Sequence, residues 1–218
     1  FLLYIMKVKI KKKGKTKEYT AIESWKDVNL ESWLRLIDDK STTKSEEALN
    51  TISELSDIPK KLIKELGIQD VALIMSHISK VQQEQDVSLK RIIEIDGVEY
   101  GYMPDFEELT LGEYADIETM IKNGLEDNIT SLMAILYRPV TEKKGDLYTI
   151  EAYDGKIKMR AEEMKKMSAE QVQASMVFFY TFVNVLLKST KSYLMEEKIV
   201  NPQLSQIQDL WTGGRGLV

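Results

Sequence analysis

The chain has 218 residues, of which 43% are hydrophobic and 30% are charged, a composition typical of a folded domain that can bury a core. Its formal net charge of -5 at pH 7 excludes a general electrostatic attraction for nucleic acid, so DNA or RNA binding would need a local basic patch. Because the chain contains no cysteine, disulfides and thiolate metal sites are excluded.

The first ten residues, FLLYIMKVKI, do not have the pattern of a signal peptide. No basic residue precedes their apolar run, and no small-residue cleavage site follows it. We expect Met6 to be the natural start of the protein. Alternation with a period of two then predicts a β-hairpin over residues 7–22, with its turn at Gly14.

This N-terminal hairpin is rich in lysine and is the one candidate basic patch of the sequence. We interpret it either as a contact for a polyanion, nucleic acid or an acidic protein surface, or as a solvated hairpin. No aromatic residue between the lysines is available to stack on bases, which favours the solvated hairpin. The candidate contact residues are Lys11, Lys12, Lys13 and Lys15.

Residues 25–88 have the apolar spacing of helices. Asp27 or Asn29 is the expected N-cap of a short first helix, and three further helices are predicted at roughly 45–55, 58–66 and 68–84. His77, the single histidine of the chain, lies among apolar residues of the last of these helices. Because no serine nucleophile motif accompanies it, we expect His77 to be structural.

A second hairpin is predicted at residues 91–103, because Asp96-Gly97 is a dipeptide that tolerates the positive φ angles of a tight turn. Thr110 and Glu113 then have the spacing of a capping box at the start of a helix that ends at Gly124. Its apolar stripe contains Leu111, Tyr114, Ile117, Met120 and Ile121.

The stretch that contains this helix, FEELTLGEYADIETMIKNG, is rich in acidic side chains. We interpret Glu113, Asp116 and Glu118 as a solvated face of the helix, opposite or beside its apolar stripe. The alternative is a carboxylate site for a divalent cation, because Glu113 and Asp116 are three residues apart and share one face. Without a histidine or a phosphate-binding loop nearby, we assign no catalytic residue, no metal ligand and no cofactor.

The C-terminal half is predicted to contain a helix at 127–137, a strand at 147–153 and a long helix at 169–198. Asp154-Gly155 would turn the strand toward Ile157 and Met159 in a third hairpin. The apolar run MVFFYTFVNVLL of the long helix has about 12 residues, fewer than the roughly 20 that span a membrane. We therefore interpret it as a buried helix without a membrane role.

Two groups of apolar residues are predicted to contact partner proteins. The apolar run of the long helix covers more than one stripe, so we expect it to be enclosed nearly all round. Beyond it, apolar residues at helical spacing in the tail would dock on a partner, with folding back on the tail's own domain as the alternative. The predicted contact residues are Trp25, Trp33, Leu204, Ile207, Leu210 and Trp211.

Together these elements predict an α+β fold that is mostly helical, with small antiparallel β-hairpins and a long C-terminal helix. We expect one domain over residues 1–200, followed by a tail at 201–218. Within the domain we distinguish four parts. They are an N-terminal hairpin (1–24), a helical part (25–88), a hairpin and helix part (89–160) and the long helix (161–200).

Four segments of the sequence carry a family resemblance. They are IIEIDGVEYGYMPDFEELTLGEYADIET, LMAILYRPV, YTIEAYDG and SAEQVQASMVFFYTFVNVLL. Over roughly residues 6–195 the chain resembles an uncharacterised family encoded in tailed bacteriophages, including crAss-like and other large phages, among genes for the virion and for tail morphogenesis. No catalytic residue comes with these motifs.

The resemblance implies a non-enzymatic structural component of the phage head, neck or tail. Such a protein would contact other phage proteins in multiple copies, would have no membrane role, and would reside in the virion after assembly in the cytoplasm of the bacterial host. The alternative is a tail-assembly chaperone or scaffold that is absent from the mature virion. A carboxylate-dependent metal enzyme is the third interpretation.

Overall fold

The structure, a computed structural model, describes residues 7–12, 15–84, 86 and 88–189. Helices predominate and the strands form two small antiparallel sheets, so the predicted α+β fold is confirmed. The chain divides into two compact units. The first unit contains the described residues through Asp86 together with Ser168–Glu170, and the second contains residues 88 to Met167 and those from Gln171 onward. The expected single domain over residues 1–200 stays a prediction.

The first unit begins with the predicted lysine-rich hairpin, which is followed by four helices. Strands β1 (Lys7–Lys12) and β2 (Lys15–Thr20) pair in antiparallel fashion, with Lys9 opposite Glu18. The helices are α1 (Leu30–Ile37), α2 (Lys44–Glu54), α3 (Lys60–Ile63) and α4 (Ile68–Gln83). The predicted helix at 58–66 is thus shorter: it begins after Pro59, which is its N-cap, and it ends at Ile63.

Side-chain caps and one histidine hold the first unit together. Asn29 Oδ1 accepts the backbone N–H of Ser32 at 2.8 Å, so Asn29 is the N-cap of α1. At the end of β2 the chain pairs with the residues after α2, where Ile22 N donates to the Leu55 carbonyl at 2.9 Å. His77 Nε2 lies 2.8 Å from the carbonyl oxygen of Ile22, so the imidazole joins α4 to this segment. That contact agrees with the predicted structural role of His77.

Trp25 and Trp33 are core residues of the first unit. Trp25 is only 1% exposed and Trp33 only 5%. A side chain with so little exposed surface stabilises the unit by burial and has almost no area to offer a partner. The burial of these two tryptophans contradicts the prediction that they anchor a partner protein.

The second unit is built around a four-stranded antiparallel sheet. Its strands are β3 (Ile92–Ile95), β4 (Val98–Tyr102), β5 (Tyr137–Lys144) and β6 (Leu147–Ile150), in the order β3-β4-β5-β6. Asp96 (φ 51°) and Gly97 (φ 79°) form the tight turn between β3 and β4, so the predicted second hairpin is confirmed.

Four helices complete the second unit: α5 (Leu111–Lys122), α6 (Ile129–Leu136), α7 (Ile157–Met164) and α8 (Ala169–Ser189), whose first two residues belong to the first unit. Helix α6 is the most deeply buried, with residues 132–136 each at 0% exposure. It continues directly into β5, because Tyr137 already has extended backbone angles. Helix α6 therefore ends one residue before the end of the predicted helix at 127–137, and strand β5, which follows it, was not predicted.

The predicted third hairpin is wrong. Strand β6 pairs backward with β5, and Ile157 and Met159 lie in helix α7 instead of in a strand. Asp154-Gly155 does turn the chain, but Asp154 Oδ1 accepts the N–H of Lys156 and also binds Arg160 one helical turn further on. Those bonds favour a helix after the turn, and β5 already occupies the position beside β6.

Helix α8 is enclosed in a different place from the one predicted. Residues Ala169 to Met176 are buried on every side, whereas Phe178 is 44% exposed and Thr181 is exposed. The predicted enclosure is therefore wrong for Phe178 and Thr181, and the structure does not describe the side chains from Phe182 onward. No helix in the described ranges is long and apolar enough to cross a membrane.

Candidate functional site: a carboxylate and arginine cluster in the second unit

The best candidate site is a group of charged side chains and one tyrosine around the start of α5. It forms because Thr110 and Glu113 make the predicted capping box. Thr110 Oγ1 accepts the N–H of Glu113 at 3.3 Å, and Glu113 Oε2 accepts the N–H of Thr110 at 2.8 Å and its hydroxyl at 2.5 Å. These bonds fix the Glu113 carboxylate against the first turn of the helix.

The second oxygen of Glu113 faces Arg138 on β5. Arg138 Nη2 lies 2.8 Å from Glu113 Oε1, and the two side chains are 8% and 2% exposed. The contact is a close ion pair, and Glu113 Oε1 and Arg138 Nε have no hydrogen-bond partner among the described residues. A buried ion pair of this kind loses most of its hydration, and each charge depends on the other.

Arg138 is placed by the sheet and lies near one aromatic ring. It lies opposite Gly101 of β4, where a Cβ atom would come within 2.5 Å of the Tyr148 ring. The Arg138 guanidinium carbon lies 6.0 Å from the centre of the Tyr153 ring, which is a cation–π distance. Burial lowers the pKa of Arg138 and the nearby Glu113 opposes that change. The guanidinium still carries its proton at physiological pH.

Tyr153 connects the cluster to the next turn of α5. Its hydroxyl donates a hydrogen bond to Asp116 Oδ2, and its ring lies against Gly112, where a Cβ atom would make an ordinary contact at 3.7 Å. Burial, followed by the hydrogen bond to Asp116, raises the pKa of Tyr153 above its ordinary value. Tyr153 is therefore a neutral phenol that donates its proton to a carboxylate.

A second arginine completes the cluster at the start of α7. Arg160 Nη1 donates to the carbonyl oxygen of Ala134 at 3.2 Å, and Arg160 Nη2 binds Asp154 Oδ1 at 3.1 Å. The N–H of Lys156 and then the guanidinium of Arg160 hold the pKa of Asp154 below its ordinary value. Arg160 thus ties the turn at Asp154 to the C-terminal end of the buried helix α6.

Each ionisable side chain of this cluster is bonded to another group of the same unit. Glu113 faces Arg138, Asp116 accepts from Tyr153, and Asp154 accepts from Arg160. A general base needs an unprotonated group within reach of a substrate, and the raised pKa of Tyr153 opposes that role. Among the described residues, no group of three or more His, Asp or Glu is placed to hold a metal ion. The arrangement joins α5, β5, the turn after β6 and α7.

An open cleft of about 380 Å³ in the first unit is a weaker candidate. It lies between the end of β2 and the end of α2, and its lining includes the carboxylates of Glu23, Asp27, Glu54 and Asp57. Two of these already have partners, because Asp57 Oδ1 accepts the N–H of Thr20 at 2.6 Å and Glu54 Oε2 lies 3.0 Å from Arg35 Nε. The described residues that line the cleft include no histidine and no basic side chain.

The prediction of a solvated acidic face is wrong for Glu113 and is not met in full by Glu118, which is half-buried. Glu113 is 2% exposed, whereas Glu118 forms a partly exposed ion pair with Lys122 at 2.8 Å. Leu111, which was predicted in the apolar stripe, is 77% exposed because the first turn of α5 packs through Glu113 instead. The capping-box spacing located Glu113 at the start of the helix. It did not predict the ion pair with Arg138, which is 25 residues away on a strand that was not predicted.

Arg138, Tyr153 and Arg160 were not among the predicted site residues. One signal for Arg138 is its position in the apolar segment LMAILYRPV, where an arginine enclosed by apolar residues requires an acidic partner. Of the predicted lysines, Lys11, Lys12 and Lys15 lie on β1 and β2, and the structure describes only the backbone of these three residues. Lys13 lies outside the described residues. So do the tail residues Leu204, Ile207, Leu210 and Trp211.

Comparison of the chain with protein-family models, with curated proteins and with solved structures finds no match in any of the three.

Proposed function

We propose that this protein is a non-enzymatic structural component of a tailed-bacteriophage particle, in its head, neck or tail. It would act through contacts with other phage proteins, in multiple copies within a symmetric assembly, after assembly in the host cytoplasm. The biological setting of the proposal comes from the sequence resemblance of the segments around IIEIDGVEYGYMPDFEELTLGEYADIET and SAEQVQASMVFFYTFVNVLL.

One structural observation supports the non-enzymatic part of the proposal. The best candidate site uses its charges for pairing between elements of the fold, since Glu113, Asp116 and Asp154 each bind a partner side chain of the same unit. An active site instead arranges polar groups toward a substrate and keeps the reactive ones available. The cluster therefore fits a role in which the unit serves as a rigid building block.

The experiment is a depletion of this protein during phage growth, followed by electron microscopy of the lysate and complementation in trans. We expect depletion to give incomplete particles and a low titre, and the wild-type chain to restore both. Normal particles at a normal titre after depletion would contradict the structural role.

The same assay tests whether the cluster performs chemistry. Tyr153→Phe removes the hydroxyl of the cluster and keeps its ring, so we expect a folded variant that restores the titre as well as the wild type does. Tyr19→Phe, a matched change of a half-buried tyrosine on the N-terminal hairpin, is the control. If the Tyr153→Phe chain folds normally and yet fails to restore the titre, the cluster has a chemical role and the proposal is wrong.

A further inference from the structure

The outer edge of β1 is an unpaired strand edge in the described part of the first unit. The sheet contains only β1 and β2, and the described residues include no third strand beside β1. In an antiparallel strand every second residue directs its N–H and C=O groups away from its partner, so β1 presents a row of backbone donors and acceptors. A two-stranded hairpin is marginally stable in water, and a third strand stabilises it.

The other edge of this hairpin is already connected to the unit. At the end of β2, Thr20 N donates to Asp57 Oδ1 at 2.6 Å and Asp57 N donates to the Thr20 carbonyl at 3.1 Å. Ala21 forms an isolated antiparallel bridge with Ser56. The C-terminal end of β2 is therefore held by residues of the first unit, whereas no described residue outside the hairpin pairs with β1.

The two faces of the hairpin differ in chemistry. Lys7 and Lys9 point to one face, where both lie beside Glu18 at 3.7 Å and 3.1 Å. Val8, Ile10 and Tyr19 alternate with them and are half-buried on the other face. The two lysine side chains are 53% and 64% exposed, so the single carboxylate of Glu18 leaves them accessible to a second acidic group.

We propose that the β1 edge binds an extended, acidic segment of a partner protein, which adds a third antiparallel or parallel strand to the hairpin. Opposite charges on neighbouring strands stabilise a sheet, so acidic residues of the partner would lie beside Lys7 and Lys9. Apolar residues of the partner would alternate with them and extend the face that contains Val8 and Ile10. The partner segment is thus expected to alternate acidic and apolar residues.

Two other occupants fit the edge less well. A second copy of the chain paired through β1 would bring lysines beside lysines, which destabilises neighbouring strands. Single-stranded nucleic acid is bound by basic grooves that also contain stacking aromatic residues, and the one aromatic side chain of the described hairpin, Tyr19, is half-buried on the face away from Lys7 and Lys9. An acidic protein strand satisfies both the backbone groups of β1 and its lysines.

The test uses the full chain and a short capped peptide of alternating glutamate and valine, with binding measured by calorimetry and hydrogen exchange at low ionic strength. We expect saturable binding and new exchange protection at alternate amides of β1. The control peptide alternates glutamate and proline, which keeps the charge and length but removes donors and fixes φ. It should bind at least about tenfold more weakly, because it cannot form the backbone ladder.

Variants of the chain measure how much the charges of Lys7 and Lys9 contribute to peptide binding. Lys7→Gln with Lys9→Gln should weaken the glutamate and valine peptide about threefold to tenfold, through loss of two cross-strand ion pairs. Lys26→Gln with Lys40→Gln removes two exposed lysines elsewhere in the same unit and should leave binding unchanged.

Several results would overturn the proposal: no binding at about 1 mM peptide, equal binding of the proline peptide, or tighter binding of a single-stranded oligonucleotide. Concentration-dependent protection of β1 in the chain alone would assign the edge to a second copy and would also overturn it. The inference goes beyond the proposed function, and its failure would leave the depletion result unchanged.

Discussion

At the scale of single residues, the Glu113–Arg138 pair of the second unit is an ion pair with both side chains buried. Removing one partner of a buried ion pair leaves an uncompensated charge, so Arg138→Met should lower the free energy of unfolding by about 3–5 kcal/mol. Lys122→Met is the matched control, because the Lys122–Glu118 pair has the same 2.8 Å separation at a partly exposed position. It should lower the free energy by less than about 1 kcal/mol.

Urea unfolding followed by circular dichroism measures both changes. The double variant Glu113→Gln with Arg138→Met removes both charges, and its loss should be smaller than the sum of the losses in the two single variants. If Arg138→Met and Lys122→Met lower the free energy of unfolding equally, burial does not determine the contribution of the Glu113–Arg138 pair to stability.

A second prediction at this scale concerns two glycines of the second unit. A Cβ on Gly101 would lie 2.5 Å from the Tyr148 ring and 2.7 Å from Ile150 Cγ2, so Gly101→Ala should lower the free energy of unfolding by about 1–3 kcal/mol. Gly112→Ala has room at 3.7 Å from Tyr153 and lies in the first turn of α5, where alanine is favoured over glycine. Thermal unfolding should therefore show a lower midpoint for the first variant and an equal or higher one for the second.

At the scale of elements, the pairing of Lys9 with Glu18 in the N-terminal hairpin predicts how the pKa of Glu18 responds to a substitution. The hydrogen bond from Lys9, together with the positive charges of Lys9 and Lys7, lowers the pKa of Glu18 below its ordinary value near 4.5. A carboxyl with a lowered folded pKa stabilises the fold above its unfolded pKa, and that stabilisation is lost as pH falls through the folded pKa. NMR titration of the Glu18 carboxyl should show the lowered value in the wild type and a value closer to 4.5 in Lys9→Gln.

The control for this titration is Lys40→Gln, which changes a lysine of the same unit that pairs with Asp38 at 3.5 Å. It should leave the pKa of Glu18 unchanged. A Glu18 pKa that does not respond to Lys9→Gln would contradict the pairing of Lys9 with Glu18 across the hairpin.

The sequence was informative about elements whose signals are local. The alternation around Asp96-Gly97 and the spacing of Thr110 and Glu113 correctly predicted a tight turn and a capping box, because both depend on residues within one or two turns of chain. Strand β5 was missed because its outer half, TEKK, is exposed and lacks alternation, and because Pro139 has no N–H for the sheet. Its pairing with β4 is a long-range property.

The same limit applies to the candidate site. Arg138 and Tyr153 join Glu113 and Asp116 only after β5 and the turn beyond β6 have been placed beside α5. The helical periodicity of apolar residues predicted that Glu113 lies on a polar face. Such a pattern depends only on residues within one helix, so it cannot indicate a partner on another element. The residues that surround the site were therefore not predictable from local patterns.

At the scale of the whole molecule, the tail at residues 201–218 is predicted to dock on a partner protein. It lies outside the described residues, and its apolar spacing at Leu204, Ile207, Leu210 and Trp211 is the basis of the prediction. Deleting residues 201–218 should give a folded monomer, because most residues of both compact units come before residue 201. This monomer should no longer enter particles, because it lacks the apolar residues that are predicted to dock on the partner. Sedimentation and incorporation in a phage complementation assay measure the two results.

A deletion variant that unfolds, or that enters particles at the normal level, would contradict the docking prediction. The quadruple change of the four apolar residues to serine is the second variant. It keeps the length of the tail and removes its apolar contacts, so it should fold normally and fail to enter particles as the deletion does.

Quantitative mass spectrometry of purified wild-type particles distinguishes a virion component from an assembly chaperone. A structural component of a symmetric particle is present at a fixed copy number, so the ratio of this chain to the other structural proteins should be constant between preparations and unaffected by further purification. An assembly chaperone would be present in the lysate during growth and absent from the finished particle. Absence of the chain from purified particles, or a copy number that falls with each purification step, would contradict the proposed role in the virion.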